Sequence, residues 1–406
     1  MNEHSEPQAP SARAQAPLGR RKFLAAAGLT AAGAAIAGAV PAAAKVVAPP
    51  AAADAVSAAG TFTVPVDTVR HTRTWMAWPD DPTIWTGRGS GRRGGPSLSQ
   101  IQANIALVAN TVATYEPVYL CANPAAAAAA RRACPGANIT VITSIPVNDC
   151  WMRDSGPVFR TDGQGGLDAI GLNFNGWGGN QTYTNDGKVA ARVAALLGIP
   201  FTAAGLVGEG GAVETDGAGT LMATRSSILV SNRNPGKSQA QVETALKSAY
   251  GASKVIWFTG VAGQDITGDH VDATSRFLAP GKVLVQQPNA TDDPSDPWTK
   301  DEINQYNVLA AATDARGVRI QATKLGGPDY YTIRQSNPEF VGSYANYYVC
   351  NGAVIASQFG DSRADAAAKA KLQSLFPGRV VVQLNVDYIG LGGGGIHCVT
   401  QQQPVA

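Results

Sequence analysis

Along most of the chain, short apolar runs alternate with longer stretches in which apolar positions recur at helical spacing. The runs at 118–121, 139–142, 255–258, 283–286 and 380–384 have strand character. Residues 98–113, 187–197, 238–250 and 363–376 read as helices. This alternation predicts an α/β or α+β body of many short units, and no stretch inside it has the composition of an interdomain linker. The alanine-rich segment 125–132 closes on Arg131 and Arg132 and reads as a surface helix, because alanine is the best helix former and cations suit a helix C-terminus. No clean internal repeat is visible in the pattern.

The alternation is missing at the N-terminal end. Arg20, Arg21 and Lys22 precede 18 uncharged residues, 23–40, and Ala42-Ala43-Ala44 follows with the small side chains that a signal peptidase accepts. Residues 1–44 are therefore expected to be a twin-arginine-type signal that exports the protein already folded. A transmembrane anchor is the alternative, but Gly28, Gly33, Gly38 and the many alanines leave this stretch only weakly hydrophobic, so no membrane span is expected after cleavage. Residues 45–60 read as an Ala/Pro-rich tether, and the catalytic body is expected over 61–406, opening on the β-rich Thr61-Phe62-Thr63-Val64.

Composition narrows the class. With 45% hydrophobic and 15% charged residues, 45 Gly and 25 Pro in 406 residues, the chain is neither disordered, coiled-coil nor collagen-like. The formal charge is +2, from 32 basic and 30 acidic residues; the first 44 residues hold four of the basic and two of the acidic ones, so the remainder is neutral. Nothing in that balance suits nucleic acid, and a cationic ligand must be captured by a local acidic pocket.

Five cysteines, Cys121, Cys134, Cys150, Cys350 and Cys398, are odd in number, widely spaced and without a Cys-x-x-Cys pair, so a disulfide framework or zinc site is not expected. Four of them read as buried small hydrophobes. A Gly-x-Ser-x-Gly elbow, a His-Glu-x-x-His pair and a phosphate loop are all absent, the last because Ser231 stands where Gly236-Lys237-Ser238 needs an upstream glycine. The Gly-x-Gly-x-x-Gly matches at Gly89-Gly91-Gly94 and Gly390-Gly392-Gly395 lack the strand–helix context and read as loops. Around the first, Arg88, Arg92 and Arg93 suit either an anion site or a solvated loop.

Imidazole chemistry rests on His71, His270 or His397, since His4 leaves with the signal. His397 adjoins Cys398, but neighbouring side chains of an extended segment face opposite ways, which makes it a poor base for that thiol. In Gly268-Asp269-His270-Val271-Asp272 an extended backbone would turn His270 and Asp272 to one face as the best acid/base candidate, although the pentapeptide alone favours a structural histidine near a turn.

Read together, six ordered segments carry more. They are Asn148-Asp149-Cys150-Trp151-Met152-Arg153-Asp154-Ser155-Gly156-Pro157, Asn175-Gly176-Trp177-Gly178-Gly179, Glu209-Gly210-Gly211 with Asp216-Gly217, Asn232-Arg233-Asn234-Pro235, His270-Val271-Asp272, and the terminal run from Gly392 through Ile396-His397-Cys398 to Pro404. With Trp75-Met76-Ala77-Trp78-Pro79, they resemble the agmatine deiminase and bacterial peptidyl-arginine deiminase family over nearly the whole mature chain. The resemblance implies a single-domain α/β fold, the five-bladed α/β-propeller or pentein, with five ββαβ-type units around a pseudo-fivefold axis and a central active site.

A guanidinium is planar, cationic and poorly electrophilic, so its hydrolysis needs carboxylates for the N–H fork, a thiolate for the central carbon and an acid for departing ammonia. The resemblance assigns these roles to Asp154 and Asp272, to Cys398 and to His270, with Glu209 orienting the histidine and Trp151 against the substrate's aliphatic stem. It implies no metal or organic cofactor, and a small guanidino substrate or arginyl peptide as partner. The implied reaction converts agmatine to N-carbamoylputrescine or, alternatively, an arginyl group to citrulline. Two other classes stand beside it, an inactive exported binding protein for cationic ligands and a cysteine amidohydrolase of a non-guanidine substrate. The chain departs from the usual pattern at Gly395, where Asn is common, and at Ala212-Val213-Glu214, where Ser-Ile-His is common, which leaves Glu214 as an alternative to Glu209. Residues 172–182 contain no Arg or Lys, which favours an amine-terminated substrate, while export favours an arginyl peptide.

Overall fold

The computed structural model describes residues 61–85 and 95–406. The expected signal, the tether and the loop carrying Arg88, Arg92 and Arg93 lie outside the described residues.

Four three-stranded sheets follow one another along the chain. They comprise Val158–Thr161, Leu167–Gly171 and Phe201–Ala203; Val213–Thr215, Thr220–Thr224 and Lys254–Phe258; Ser275–Ala279, Lys282–Gln287 and Gln321–Gly326; and Tyr348–Cys350, Ala353–Ser357 and Val380–Leu384. In each, the first strand pairs antiparallel with the second and the second parallel with the third. The remaining sheet joins the two ends of the described chain. Gln401–Pro404 pairs antiparallel with His71–Ala77, which runs parallel to Val118–Cys121, and Ile139–Ile142 adds a fourth strand. Five ββαβ units thus form a five-bladed α/β propeller whose first blade is completed by the last strand.

A parallel pair cannot be joined by a tight turn; one crossover helix per blade supplies the connection, Leu98–Val112, Val189–Leu197, Gln239–Tyr250, Pro297–Ala311 and Ser362–Leu375, and the short helix Ala127–Ala133 leads to the added fourth strand of the first sheet. Their ends are written locally. Ser97 with Gln100, and Ser238 with Gln241, form capping boxes, and Asp296 caps a helix that opens on Pro297. Gly198 and Gly251 close two helices in the left-handed region, at φ 66° and 65°. Ile101, Ile105, Val108 and Val112 recur on one helix face and pack in one cluster with Met76, Val118 and Leu120 of the sheet beside them.

The strands 118–121, 139–142 and 380–384 recur with the bounds read from the pattern, and the other strands and the helices with ends shifted by one or two residues. The alanine run is helical over Ala127–Ala133. Thr61–Val64 is not a strand; Thr63 only bridges Thr161. The helix Pro297–Ala311 was not legible because its buried face includes Thr299, Asp301, Glu302 and Gln305, which blur the apolar period. The fivefold repeat stays hidden in the sequence because corresponding elements differ in length, the crossover helices running from 9 to 15 residues. Cys121, Cys134, Cys150 and Cys350 are buried free thiols, as read from their spacing. Among the described residues no helix is long and apolar enough to cross a membrane.

Candidate active site

Each blade sends side chains to one place from the segment just before its first strand. Asp154 precedes Val158–Thr161, Glu209 and Gly211 precede Val213–Thr215, and His270 and Asp272 precede Ser275–Ala279. Asn346 precedes Tyr348–Cys350, and Cys398 precedes Gln401–Pro404. These first strands are largely buried, so the segments leading into them are drawn toward one another. Trp151, Asp154, Trp177, His270, Asp272, Asn346 and Cys398 line one cavity, with Glu209 behind His270.

Asp154 sits on the single helical turn Met152–Ser155. A local pair with its neighbour does not form, because Arg153 points to Gln402 Oε1 at 2.7 Å. Asp154 Oδ2 accepts the Trp177 indole N–H at 2.9 Å, and Oδ1 accepts the Gly211 N–H at 3.1 Å. The motif around Trp177 has a conformational cause. Gly176, Trp177, Gly178 and Gly179 all have left-handed backbone, with Trp177 at φ 55°. That costs a non-glycine residue about 1–2 kcal/mol, and the indole bond to Asp154 is what the strained turn delivers. Trp151 is anchored by its own N–H on Asp149 Oδ2, 2.9 Å away.

His270 and Asp272 reach the same cavity by a different geometry from the extended one expected. His270 is extended, but Val271–Ala273 is a 3-10 turn, and Asp269 before them is left-handed at φ 74°. His270 Nε2 lies 3.3 Å from Glu209 Oε2, and Nδ1 lies 3.7 Å from Asp154 Oδ1. Glu209 is gripped from behind by Arg233 Nε at 2.7 Å, which accounts for the Asn232-Arg233-Asn234-Pro235 segment. Glu214 faces elsewhere. It accepts from Arg276 Nε at 2.7 Å and from the Phe277 N–H at 3.0 Å, so of the two alternatives Glu209 is the carboxylate at the histidine.

Cys398 Sγ lies 3.4 Å from Asn346 Oδ1 and 3.7 Å from Asp272 Oδ2. A Cβ at position 395 would collide with Asn346, so the glycine there lets Asn346 close on the thiol. Burial and the Asp272 and Asp154 carboxylates hold the Cys398 thiol well above its ordinary range. Burial alone would lower the His270 pKa, but Asp154, Glu209 and Asp272 raise it to about 9. Burial pushes Asp154 up. For Asp272 the opposite wins: against burial, the hydrogen bond and charge of His397 hold it below the usual range. The resting site therefore pairs a neutral thiol with an imidazolium.

Among the described residues, the buried Asp272 Oδ1 has no hydrogen-bond partner. Its other oxygen accepts from His397 Nδ1 at 2.7 Å, and His397 Nε2 lies 2.9 Å from Asp67 Oδ2. Asp67, Glu214 and His397 cluster closely enough to resemble a metal site. Arg276, however, already bridges the two carboxylates, at 2.8 Å from Asp67 and 2.7 Å from Glu214, which leaves no call for a further cation. Asp67 and Asn346 were missed in the sequence because neither stands in a motif; only their place before a strand, repeated from blade to blade, marks Asn346. The His397 ring turns from Cys398 toward the two aspartates, in line with its reading as a poor base for that thiol.

Residues 63–404 match the family model described as Porphyromonas-type peptidyl-arginine deiminase. A Streptomyces coelicolor relative is 37% identical over 351 residues, covering 85% of this chain and 99% of that protein. Pseudomonas aeruginosa agmatine deiminase is 35% identical over 365 residues, covering 84% of this chain and 95% of that protein. The solved Enterococcus faecalis agmatine deiminase superposes with a TM-score of 0.76 at 29% identity, covering 85% of this chain and 96% of that one.

Proposed function

The chain belongs to the Porphyromonas-type peptidyl-arginine deiminase family, and on that footing we propose that it hydrolyses the guanidinium of agmatine, giving N-carbamoylputrescine and ammonia. It is a hydrolase of guanidino C–N bonds. The observation that carries the reading is Asp272 Oδ1, a buried acceptor without a partner, on a carboxylate that also lies 3.7 Å from a cysteine sulfur. A guanidinium offers the N–H that this oxygen lacks and brings its carbon to the thiol.

The arriving cation stabilises a thiolate that the empty site disfavours, so Cys398 gives up its proton to solvent as substrate binds. Asp154 and Asp272 hold the N–H fork, and Cys398 Sγ adds to the guanidinium carbon. His270 Nδ1, the ring nitrogen not bonded to Glu209, protonates one nitrogen, which leaves as ammonia. The C–S bond remains as an S-substituted thiouronium. Neutral His270 then takes a proton from water, the oxygen adds to the same carbon, and as the adduct collapses its hydroxyl proton passes to the departing sulfur, which restores the Cys398 thiol and forms the ureido product. Trp151 and Trp177 exclude water and flank the methylene chain.

Asp265 is the remaining acid of the cavity lining, and none of the described lining residues is Lys or Arg. That charge suits the ammonium tail of agmatine and opposes a carboxylate. The family's description supports a second reading, an arginyl peptide converted to a citrullyl one. The Arg20-Arg21 segment supports an exported enzyme. An assay of ureido product and ammonia with agmatine, free arginine and arginine-terminated peptides tests the reading. Agmatine is expected to turn over and Cys398→Ser to be inactive; absence of product from all three, or near wild-type turnover by Cys398→Ser, overturns it.

A further inference from the structure

His397 is the residue beside the nucleophile, yet its ring takes no part in the steps above. It is 1% exposed and lies between two acids, with Nδ1 2.7 Å from Asp272 Oδ2 and Nε2 2.9 Å from Asp67 Oδ2. Each ring nitrogen thus faces a carboxylate oxygen at hydrogen-bond distance, and an N–H at Nδ1 donates to Asp272. We propose that His397, held from behind by Asp67, is a positioning residue: it fixes Asp272 Oδ2 so that the partnerless Oδ1 is presented to the substrate guanidinium. The inference rests on the deiminase reading of the site and extends it to a residue pair outside the cavity lining.

The arrangement solves a specific problem. Asp272 is buried, and burial favours its neutral form, which offers the guanidinium one acceptor fewer and no charge. The hydrogen bond and charge of His397 oppose this and keep the carboxylate ionised in the empty site. On the far side of the ring Asp67 Oδ2 lies 2.9 Å from His397 Nε2. Against burial, His397, Arg153 and Arg276 hold Asp67 below the usual carboxylate range. Arg276 Nη2 reaches Asp67 Oδ2 at 2.8 Å, and Gln402 donates to Oδ1. The backbone tightens the link, since the Arg153 side chain reaches the His397 carbonyl at 3.4 Å while Arg153 N–H donates to the Cys398 carbonyl at 3.1 Å. The groups around the His397 ring are thus Asp272 and Asp67, with Arg276, Arg153 and Glu214 beyond them.

A positioning role makes a distinctive kinetic signature. In His397→Asn and Asp67→Asn, Asp272 is freed to rotate and to take up a proton, so the loss appears in substrate capture and depends on pH. For agmatine, kcat/KM at neutral pH is expected to fall on the order of 10- to 100-fold, the usual size for a residue that orients another. The acid limb of its pH profile is expected to move to higher pH, with activity partly restored on the alkaline side. His397→Gln, which keeps a neutral donor, is expected to retain more activity than His397→Ala. A uniform loss across pH with an unmoved acid limb overturns the proposal in favour of a packing role.

If these variants do not fold, the wild-type protein still decides. Nitrogen-15 spectra of the histidine rings are expected to show a proton on His397 Nδ1 held in a hydrogen bond to Asp272, and a ring without a proton on Nδ1 overturns the proposal. That measurement needs no turnover, so it is separable from failure of the deiminase reading, which shows as wild-type protein that releases no ammonia from agmatine, arginine or arginyl peptides.

Discussion

Cys398 Sγ lies 3.7 Å from Asp272 Oδ2, so the nucleophile rests against a negatively charged carboxylate. The charge that helps to capture the substrate therefore suppresses the thiolate until the substrate arrives. Asp272→Asn is expected to abolish deimination yet speed alkylation of Cys398 by neutral iodoacetamide, because the thiol loses an adjacent anion. Peptide mapping of alkylated protein over time measures it. Slower or unchanged alkylation in the variant would contradict this electrostatic account.

The same logic gives a reagent test. A haloacetamidine carries a guanidine-like cation, so it brings the charge that the empty site lacks and is expected to modify Cys398 faster than iodoacetamide does. Agmatine is expected to block it. The four buried thiols, Cys121, Cys134, Cys150 and Cys350, are expected to stay unmodified in the folded protein. Labelling spread over several cysteines would argue that the cavity does not recognise a guanidinium.

His270 carries a pH signature in both stability and activity. Its folded pKa is raised from 6.5 to about 9 by Asp154, Glu209 and Asp272, against burial. The stability that it contributes is fully present below about pH 6.5 and is lost as pH rises through about 9, because above that value folding no longer favours the extra proton. Wild-type melting temperature is accordingly expected to decline across this window more than that of His270→Gln. Ammonia departure needs the same proton, so kcat/KM for agmatine is expected to fall above about pH 9.

Gly211 stands where the carboxylates and the imidazole meet. A Cβ there would lie 2.8 Å from His270 Nδ1, 2.9 Å from Asp154 Oδ1 and 3.1 Å from Asp272 Oδ2. Gly211→Ala is expected to displace all three and lower kcat/KM on the order of 100-fold, the scale on which small misplacements act. Circular dichroism and melting should show a folded protein. Turnover within a few-fold of wild type would mean that the site has slack the geometry does not show.

What the chain disclosed in advance divides along a physical line. Cys398, His270, Asp154, Asp272 and Glu209 were legible because each sits in a short segment whose neighbours are themselves constrained: glycines at left-handed turns, Trp177 on Asp154, Arg233 on Glu209. The strand 118–121 was legible because near-complete burial leaves an unbroken apolar run, and 380–384 because three successive β-branched valines favour a strand even where Val380 is exposed. Asp67 was not, since its meaning lies wholly in contacts with His397, Arg276 and Gln402, each more than 200 positions away. The turn at 271–273 was misread as extended because Val271, Ala273 and Thr274 fit either conformation locally, and the tertiary contacts of the site decide between them.

Arg233 and Glu209 allow stability and catalysis to be separated. Their 2.7 Å ion pair is buried, with side chains 3% and 0% exposed, and Glu209 also holds His270. Arg233→Met leaves the buried Glu209 with His270 as its one remaining counter-charge and is expected to cost about 3 kcal/mol of stability, the low end for a broken buried pair. Replacing both, Glu209→Gln with Arg233→Met, removes the two charges together, so a good part of that stability is expected to return. Activity is not expected to return with it, because His270 then lacks one of the carboxylates that keep it protonated, and kcat is expected to fall on the order of 100-fold. Urea denaturation midpoints and ammonia release on the same three proteins check both halves. A double variant no more stable than Arg233→Met would show that the pair is more than charge compensation, and one with wild-type kcat would remove Glu209 from the proton-transfer machinery.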